Sequence, residues 1–122
     1  MFKRFFAFIT VATFFISCTN QQSTLPKVPN NNKTTIYYVH RNDCPACVYM
    51  DSVLKQNSIK DIISKKFNLV RVDYKDQSIL PKKSMITFKT PTLYFLKGTK
   101  EIHKPIHALN PKRFKELLQN LE

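Results

Sequence analysis

The pattern of apolar and polar positions predicts four strands in this chain. Residues 35–40 are β-branched or aromatic, which is typical of a buried strand. Apolar and charged side chains alternate within 67–74, and this period of two predicts a second strand. Residues 91–97 and 101–104 are expected to form the third and fourth strands. The short turn between these two contains Gly98, the only glycine of the chain, which favours a β-hairpin.

Three helices are predicted from apolar residues that recur every three or four positions. The first begins at Cys44 and reaches about Lys55, and the second covers roughly 59–66. Asn110 can cap a last helix with an apolar stripe. The stripe consists of Phe114, Leu117, Leu118 and Leu121. Residues 75–90 are mixed and are expected to form a loop or a short helix. The order strand, helix, strand, hairpin, helix indicates an α/β domain with a mixed sheet.

The composition limits the functions that are open to the chain. Its 122 residues form one domain at most. A single glycine excludes the glycine-rich loops that bind phosphate groups in nucleotide-binding proteins. The formal net charge is +12, but the cations occur at most in pairs, and no nucleic-acid recognition motif accompanies them. We therefore expect a solvated basic surface and no nucleic-acid partner.

Residues 1–17 have the features of a targeting segment. Two cations precede an apolar run over 5–16, which matches the charged and apolar regions of a secretory signal peptide. That run is shorter than the roughly 20 residues that a membrane-spanning helix needs. Ser17 and Cys18 follow it, and this ending resembles a bacterial lipobox, in which the cysteine is lipidated and becomes the mature N-terminus. The alternatives are an ordinary signal peptide cut elsewhere and an uncleaved anchor. All three place the rest of the chain outside the cytoplasm.

A flexible tether is expected over 18–33. This stretch is polar, with two prolines and three consecutive asparagines, and it shows no periodicity. The folded domain then covers 34–122. A lipid on Cys18 would hold this exported domain at a membrane, facing the periplasm or the cell exterior.

The three cysteines are best explained as one lipidated residue and one reactive pair. Lipidation of Cys18 leaves Cys44 and Cys47, which have the spacing C-x-x-C. A disulfide between them closes a very short loop, so it suits reversible redox chemistry better than structural cross-linking. Cys44 stands at a helix N-terminus, where unpaired N–H groups and the helix dipole favour a thiolate. We therefore expect Cys44 to be the exposed nucleophile and Cys47 to be the buried resolving cysteine.

Metal binding by the same pair is an alternative that the residues leave open. A structural zinc site needs two further ligands, and Pro105 between His103 and His107 argues against a helix that carries both histidines. Cu(I) prefers sulfur ligands, so the cysteine pair could bind it together with Met50 or a histidine. We expect Met50 to belong to the core, and we predict no resident metal and no cofactor.

Three features together make the chain similar to the thioredoxin superfamily. Cys44-Pro45-Ala46-Cys47 stands after a strand and at the start of a helix. Thr90-Pro91, directly before the strand 92–96, resembles the cis-proline segment of that superfamily, and the turn at Gly98 resembles the hairpin that follows it. The resemblance covers about 34–122 and implies a thioredoxin-like fold, a central mixed sheet flanked by helices. It also implies that Pro91 is cis and lies beside the sulfurs, and that the Thr90 backbone pairs with an extended substrate.

The chain departs from that superfamily at three positions around the cysteines. Asp43 stands where Trp usually precedes the first cysteine, and Pro45-Ala46 replaces the Gly-Pro of cytoplasmic thioredoxins. Tyr38 stands where those thioredoxins carry a buried acid that assists proton removal from the second cysteine. Charges on His40 and Asp43 would act on a Cys44 thiolate. We expect instead that His40 ends its strand and that Asp43 lies in the loop or helps to cap the helix.

The sequence therefore predicts a thiol–disulfide oxidoreductase that acts on protein disulfides outside the cytoplasm, in the reductive direction. Its partners would be protein thiols and disulfides, a lipid anchor, and a membrane protein that donates or accepts electrons. The alternatives are an oxidase that runs the reverse reaction, a Cu(I)-handling lipoprotein, and a non-enzymatic adaptor that uses the fold for docking.

Overall fold

A computed structural model describes residues 31–121. The predicted signal segment 1–17, Cys18 and most of the predicted tether lie outside the described residues, and those assignments stay predictions. At the end of the tether, Asn31 and Asn68 exchange side-chain hydrogen bonds of 2.8 and 3.3 Å. Among the described residues, no helix has both the length and the apolar character needed to cross a bilayer.

The described elements are four strands, three α-helices and one 3-10 turn. The strands are β1 (Thr34–His40), β2 (Phe67–Asp73), β3 (Thr92–Lys97) and β4 (Lys100–Ile106). The helices are α1 (Pro45–Leu54), α2 (Asn57–Lys66) and α3 (Pro111–Asn120), and the 3-10 turn covers Lys83–Met85. Every strand and helix predicted from the apolar pattern is therefore present.

The sheet is mixed, and its strand order is β2-β1-β3-β4. The central strand β1 runs parallel to β2 and antiparallel to β3, and β3 pairs with β4 as a hairpin. Gly98 lies in the turn of that hairpin with a φ of 64°, a conformation that glycine adopts without steric cost. The predicted α/β fold with a central mixed sheet is confirmed.

Alternate residues of β1 face two separate cores, because successive side chains of a strand point to opposite faces. Ile36 and Tyr38 belong to the core that α1, α2 and α3 cover. Tyr37 and Val39 face the opposite core, which the segment after β2 covers with Met85 and its neighbours. This two-sided burial explains why β1 is apolar and aromatic without alternation. It also fixes the end of β1, from which the chain turns into α1.

Several element boundaries differ from the prediction by one or two residues, and three of these differences have a clear physical reason. β4 extends to Ile106 and includes Pro105, which is tolerated because β4 is an edge strand of the described sheet. β3 begins at Thr92, one residue after Pro91, since a proline has no N–H for the sheet ladder. α2 begins at Asn57, two residues before the predicted start, because its polar first turn carries no apolar signal.

Candidate active site

The cysteine pair lies where β1 leads into α1. Cys44 is the N-cap residue, with extended backbone angles of −113° and 107°, and Pro45 occupies the first helical position. Cys47 lies in the first turn of α1 and forms a disulfide with Cys44, with the two Cα atoms 5.1 Å apart. The short connection after His40 therefore delivers both sulfurs to the N-terminus of one helix.

Cys44 itself satisfies the start of the helix. The Cys47 N–H donates to Cys44 Sγ over 3.1 Å, and the Val48 N–H donates to the Cys44 carbonyl over 3.1 Å. A sulfur in this position accepts one of the N–H groups that every helix start leaves unpaired. When the disulfide is reduced, the same N–H and the helix dipole favour a thiolate on Cys44.

Both cysteines are buried. Cys44 is 5% exposed and Cys47 is 1% exposed, so the expectation of an exposed Cys44 is wrong, although Cys47 is the more buried of the two. The Thr90 carbonyl oxygen lies 3.4 Å from Cys44 Sγ and helps to cover it. In the disulfide this is a contact only, since the sulfur carries no proton; a reduced Cys44 thiol could donate to that oxygen.

The Thr90–Pro91 segment lies beside the sulfurs. The peptide bond between these two residues is cis, as the resemblance implied, and Pro91 is buried. Contact between the Thr90 carbonyl and Cys44 Sγ joins two segments that are 46 residues apart in sequence. The structure thus brings together four of the residues singled out from the sequence, namely Cys44, Cys47, Thr90 and Pro91.

His107 supports the cis-proline segment, a role that the sequence analysis, which considered this residue only as a zinc ligand, did not predict. His107 Nδ1 lies 3.1 Å from the Pro91 carbonyl oxygen and 3.3 Å from Thr92 Oγ1. The Thr92 hydroxyl donates its one proton to the Lys89 carbonyl over 2.6 Å, and a carbonyl can only accept. Nδ1 of His107 must therefore carry the proton and donate. The pairing of Leu93 with Ile106 places residue 107 beside the start of β3, and the sequence alone does not show this register.

Gln77 holds the segment that precedes Thr90. Its Nε2 donates to the Thr87 carbonyl and its Oε1 accepts from the Thr87 N–H, both over 2.8 Å. The Thr87 Oγ1 in turn accepts from the Lys89 N–H over 3.1 Å. These bonds fix the backbone just before the cis-proline. The sequence offered no signal for Gln77, since a lone glutamine in a mixed segment has no pattern.

A tyrosine and an ion pair lie beneath Cys47. The Tyr38 hydroxyl donates to the Cys47 carbonyl over 3.2 Å, and Arg71 Nη1 bonds Asp51 Oδ1 over 3.0 Å. The Arg71 guanidinium also stacks over the Tyr38 ring at 5.4 Å. Burial is the main cause that raises the pKa of Tyr38, and the nearby Asp51 carboxylate raises it further. Tyr38 is therefore a neutral hydrogen-bond donor. It stands at the position where the resemblance to cytoplasmic thioredoxins would predict a buried acid.

Two polar residues near the cysteines interact with their neighbours rather than with a sulfur. The His40 ring packs against the Tyr38 ring with centroids 5.3 Å apart, at the end of β1 as expected. Asp43 Oδ1 forms an ion pair with Arg41 Nε at 2.9 Å. Of the two expected positions for Asp43, the structure shows the loop, because Cys44 is the N-cap of α1.

Within the described part of the chain, no group of three or more His, Cys, Asp or Glu residues is placed to hold a metal ion. Met50, considered as a copper ligand, is completely buried in the core that the three helices cover, which confirms the expectation that it is a core residue. His103 Nδ1 lies 2.7 Å from the Lys104 carbonyl, on β4.

Solved structures with the same fold are thioredoxins and related proteins. A thioredoxin from Thermus thermophilus is 20% identical with a TM-score of 0.62, covering 73% of this chain and 73% of its own. The germline thioredoxin Deadhead from Drosophila melanogaster is 17% identical with a TM-score of 0.61, covering 75% and 84%. A disulphide isomerase from Xylella fastidiosa is 13% identical with a TM-score of 0.57, covering 74% and 79%.

No protein-family model matches the sequence, and no curated protein matches it either. The structural likenesses establish the thioredoxin fold for this chain. The resemblance to the thioredoxin superfamily, which the sequence predicted from its C-x-x-C pair and its Thr-Pro segment, is confirmed at the level of the fold.

Proposed function

We propose that this chain is a thiol–disulfide oxidoreductase that reduces protein disulfides outside the cytoplasm. The observation that carries the proposal is the position of Cys44 Sγ. It is bonded to the Cys47 sulfur at the start of α1 and lies 3.4 Å from the Thr90 carbonyl next to a cis-proline. Three features of an oxidoreductase thus occur together. They are a pair of cysteines, a helix start that stabilises a thiolate, and a backbone segment to which an extended substrate can bind.

The reaction begins from the reduced pair. The Cys44 thiolate attacks one sulfur of a substrate disulfide, so that a Cys44–substrate bond forms, the substrate S–S bond breaks and the first substrate sulfur leaves and takes a proton. The Cys47 thiolate then attacks Cys44 Sγ, which restores the Cys44–Cys47 disulfide and releases the second substrate sulfur. Two electrons have moved from the protein to the substrate, and a donor dithiol must return two electrons to the pair.

The surroundings of Cys44 support the reductive direction. A strong oxidant requires a strongly stabilised thiolate, because stabilising the reduced form raises the potential. In the described structure, Cys44 Sγ accepts one N–H, from Cys47, and has the negative end of the Thr90 carbonyl at 3.4 Å. This carbonyl offsets part of the stabilisation that the helix start gives to a Cys44 thiolate, and the offset supports a reducing pair.

Export and anchoring are part of the same proposal. The apolar segment after Lys3 and Arg4, followed by Ser17 and Cys18, supports lipidation of Cys18 and attachment to a membrane. A membrane dithiol protein would then supply the electrons. Expression of the full chain with Cys18→Ser should abolish lipid labelling and release the protein from the membrane fraction; membrane association that persists without a lipid would contradict the lipid anchor.

Trapping with single-cysteine variants tests the reaction. Reduced protein with Cys47→Ser should accumulate a mixed disulfide with insulin through Cys44, whereas Cys44→Ser should trap none and should fail to reduce insulin. Equal trapping by both variants would overturn the assigned roles. If the reduced wild type leaves insulin intact and instead binds Cu(I) stoichiometrically, the metal-handling function takes its place.

Titration in glutathione buffers tests the direction. Superfamily potentials range from about −270 mV for reductants to about −120 mV for strong oxidants. We expect a value near the lower end. A value near the upper end would mean that the protein donates disulfides.

A further inference from the structure

The segment that leads to the cis-proline exposes large apolar side chains. Phe88 is 85% exposed and Ile86 is 51% exposed, the first and third most exposed of the large apolar residues described. Phe88 is two residues before Thr90, whose carbonyl lies 3.4 Å from Cys44 Sγ. Two residues of extended chain reach at most about 7 Å. The exposed ring is therefore attached two residues from the backbone that contacts the redox sulfur.

Hydrogen bonds hold this segment in a fixed conformation. The Gln77 side chain forms hydrogen bonds of 2.8 Å to both the carbonyl and the N–H of Thr87, and the Tyr94 hydroxyl donates to the Met85 carbonyl. Met85 is 2% exposed and Thr87 is half-buried, so the residues between and after them point outward. Ile86 and Phe88 are thus exposed because hydrogen bonds hold the backbone of this segment in a conformation that directs their side chains to solvent.

A second group of exposed apolar side chains lies on α1. Val48 is 64% exposed and Tyr49 is 45% exposed. Val48 lies one turn beyond Cys44 on the same helix, and its N–H donates to the Cys44 carbonyl over 3.1 Å. Exposed apolar side chains therefore lie on both segments that contact Cys44, and clustered exposed apolar side chains mark interaction sites.

The charges on the segment that carries Phe88 have one sign. Residues 77–91 contain three lysines and neither aspartate nor glutamate. The exposed Asp43 before Cys44 is paired with Arg41. Lys82, Lys83 and Lys89 are exposed on the segment that carries Phe88. An apolar surface bordered by cations complements a ligand that is apolar and acidic.

We propose that this surface, formed by Val48, Ile86 and Phe88 with Lys82, Lys83 and Lys89, binds an extended polypeptide that carries apolar residues and acidic residues beside its disulfide. The inference rests on the proposed function and names its substrate class. Because the apolar residues flank the redox sulfur, an occupant that brings a disulfide fits the surface better than a lipid, which would cover the sulfur without reacting.

Synthetic peptides of ten residues test the substrate class. Each contains one cysteine in a mixed disulfide with thionitrobenzoate, and the flanking residues are Leu and Glu, Leu and Lys, or Ser and Glu. Attack by Cys44 on the peptide sulfur forms a Cys44–peptide bond and releases coloured thionitrobenzoate. The rate for each peptide is divided by the rate with a peptide-free thionitrobenzoate disulfide, so that folding and thiolate content cancel.

The Leu-Glu peptide should react about tenfold faster than the Leu-Lys peptide at low salt, and added salt should reduce this preference. Phe88→Ser should lower the normalised rate for the Leu peptides about tenfold, with little effect on the Ser peptide. The triple variant Lys82→Glu, Lys83→Glu, Lys89→Glu should remove or reverse the charge preference. Its matched control, with Lys60, Lys65 and Lys112 changed to Glu on α2 and α3, should keep it.

Three results would overturn either this inference or the proposed function. Equal normalised rates for all peptides in the wild type would overturn the inference while leaving the proposed function intact. Failure to release thionitrobenzoate from any disulfide would instead overturn the proposed function. Phe88-dependent binding to vesicles of phosphatidylglycerol and phosphatidylcholine, with no peptide preference, would show that the surface contacts membrane and would also overturn the inference.

Discussion

The hydroxyl of Tyr38 donates a hydrogen bond to the carbonyl of Cys47 over 3.2 Å, and it thereby joins the centre of the sheet to the first turn of α1. Tyr38 is completely buried. The ion pair of Asp51 with Arg71 lies alongside, and Arg71 stacks on the tyrosine ring. This chain therefore has a neutral hydrogen-bond donor at residue 38, and its partner is the backbone carbonyl of Cys47.

Removal of that hydroxyl should destabilise the domain. Tyr38→Phe deletes one buried hydrogen bond and should lower the free energy of unfolding by about 1 kcal/mol. Urea denaturation at pH 7 measures it. Tyr49→Phe, which changes an exposed ring, is the matched control and should stay within about 0.5 kcal/mol of the wild type. A Tyr38→Phe variant as stable as that control would contradict the role assigned to the hydroxyl.

Buried tyrosines should make the fold sensitive to alkaline pH. Burial raises the pKa of Tyr37, Tyr38 and Tyr94 above the ordinary value of 10.0, so the folded state keeps these protons more tightly than the unfolded state. The resulting stability is complete below about pH 10 and is lost as the pH rises toward the folded pKa values. Urea titrations between pH 9 and 11.5 should show this fall.

The slope of that fall tests the contribution of Tyr38. Each such group contributes at most about 1.4 kcal/mol per pH unit. Tyr38→Phe should make the decline shallower, since one proton fewer is released on unfolding. An unchanged slope would mean that Tyr38 ionises alike in the folded and unfolded states.

Removal of the Gln77 side chain should increase the local opening of the segment before the cis-proline. Gln77→Ala removes both hydrogen bonds to Thr87, so the Thr87 amide should exchange with deuterium at least tenfold faster. The global stability should fall by about 1–2 kcal/mol. Ser78→Ala, next along the chain on an exposed residue bonded to Asp76, should leave the Thr87 amide protected. Unchanged protection of the Thr87 amide in Gln77→Ala would show that the Gln77 hydrogen bonds do not hold this segment.

The His107 ring should matter for catalysis through the cis-proline segment. His107→Ala removes the donor to the Pro91 carbonyl and should slow insulin reduction several-fold, with a stability loss of about 1 kcal/mol. His103→Ala, four residues earlier on β4, is the control and should leave the rate near that of the wild type. His107→Gln should recover part of the rate, because an amide N–H can replace the ring N–H; equal rates in all three variants would exclude a positioning role.

The core on the helix side should depend on a single aromatic residue of α3. Phe114 is completely buried, and Phe114→Ala should cost about 3–5 kcal/mol by thermal or urea unfolding. Lys112→Ala, two residues earlier on the exposed side, should change stability by less than about 0.5 kcal/mol. A small effect of Phe114→Ala would indicate that the core repacks around the gap.

Features that depend on residues close together in the chain were predictable from the sequence. The strand run before Cys44, the C-x-x-C spacing and the capping pair of Asn110 with Pro111 are local patterns, because capping and periodicity act within one or two turns. The Asn110 side chain indeed accepts from the Arg113 N–H over 2.9 Å. The position of Thr90-Pro91 beside the sulfurs came from the resemblance, since no local rule brings residues 46 positions apart together.

Contacts across the fold were decided by the tertiary structure alone. The register of β4 on β3 places His107 against Pro91, and the packing of the segment after β2 brings Gln77 to Thr87. The burial of Cys44 depends likewise on the Thr90 carbonyl from another part of the chain. Sequence periodicity specifies which face of an element is apolar, but the partner of a single polar side chain depends on strand register and packing, which only the assembled sheet fixes.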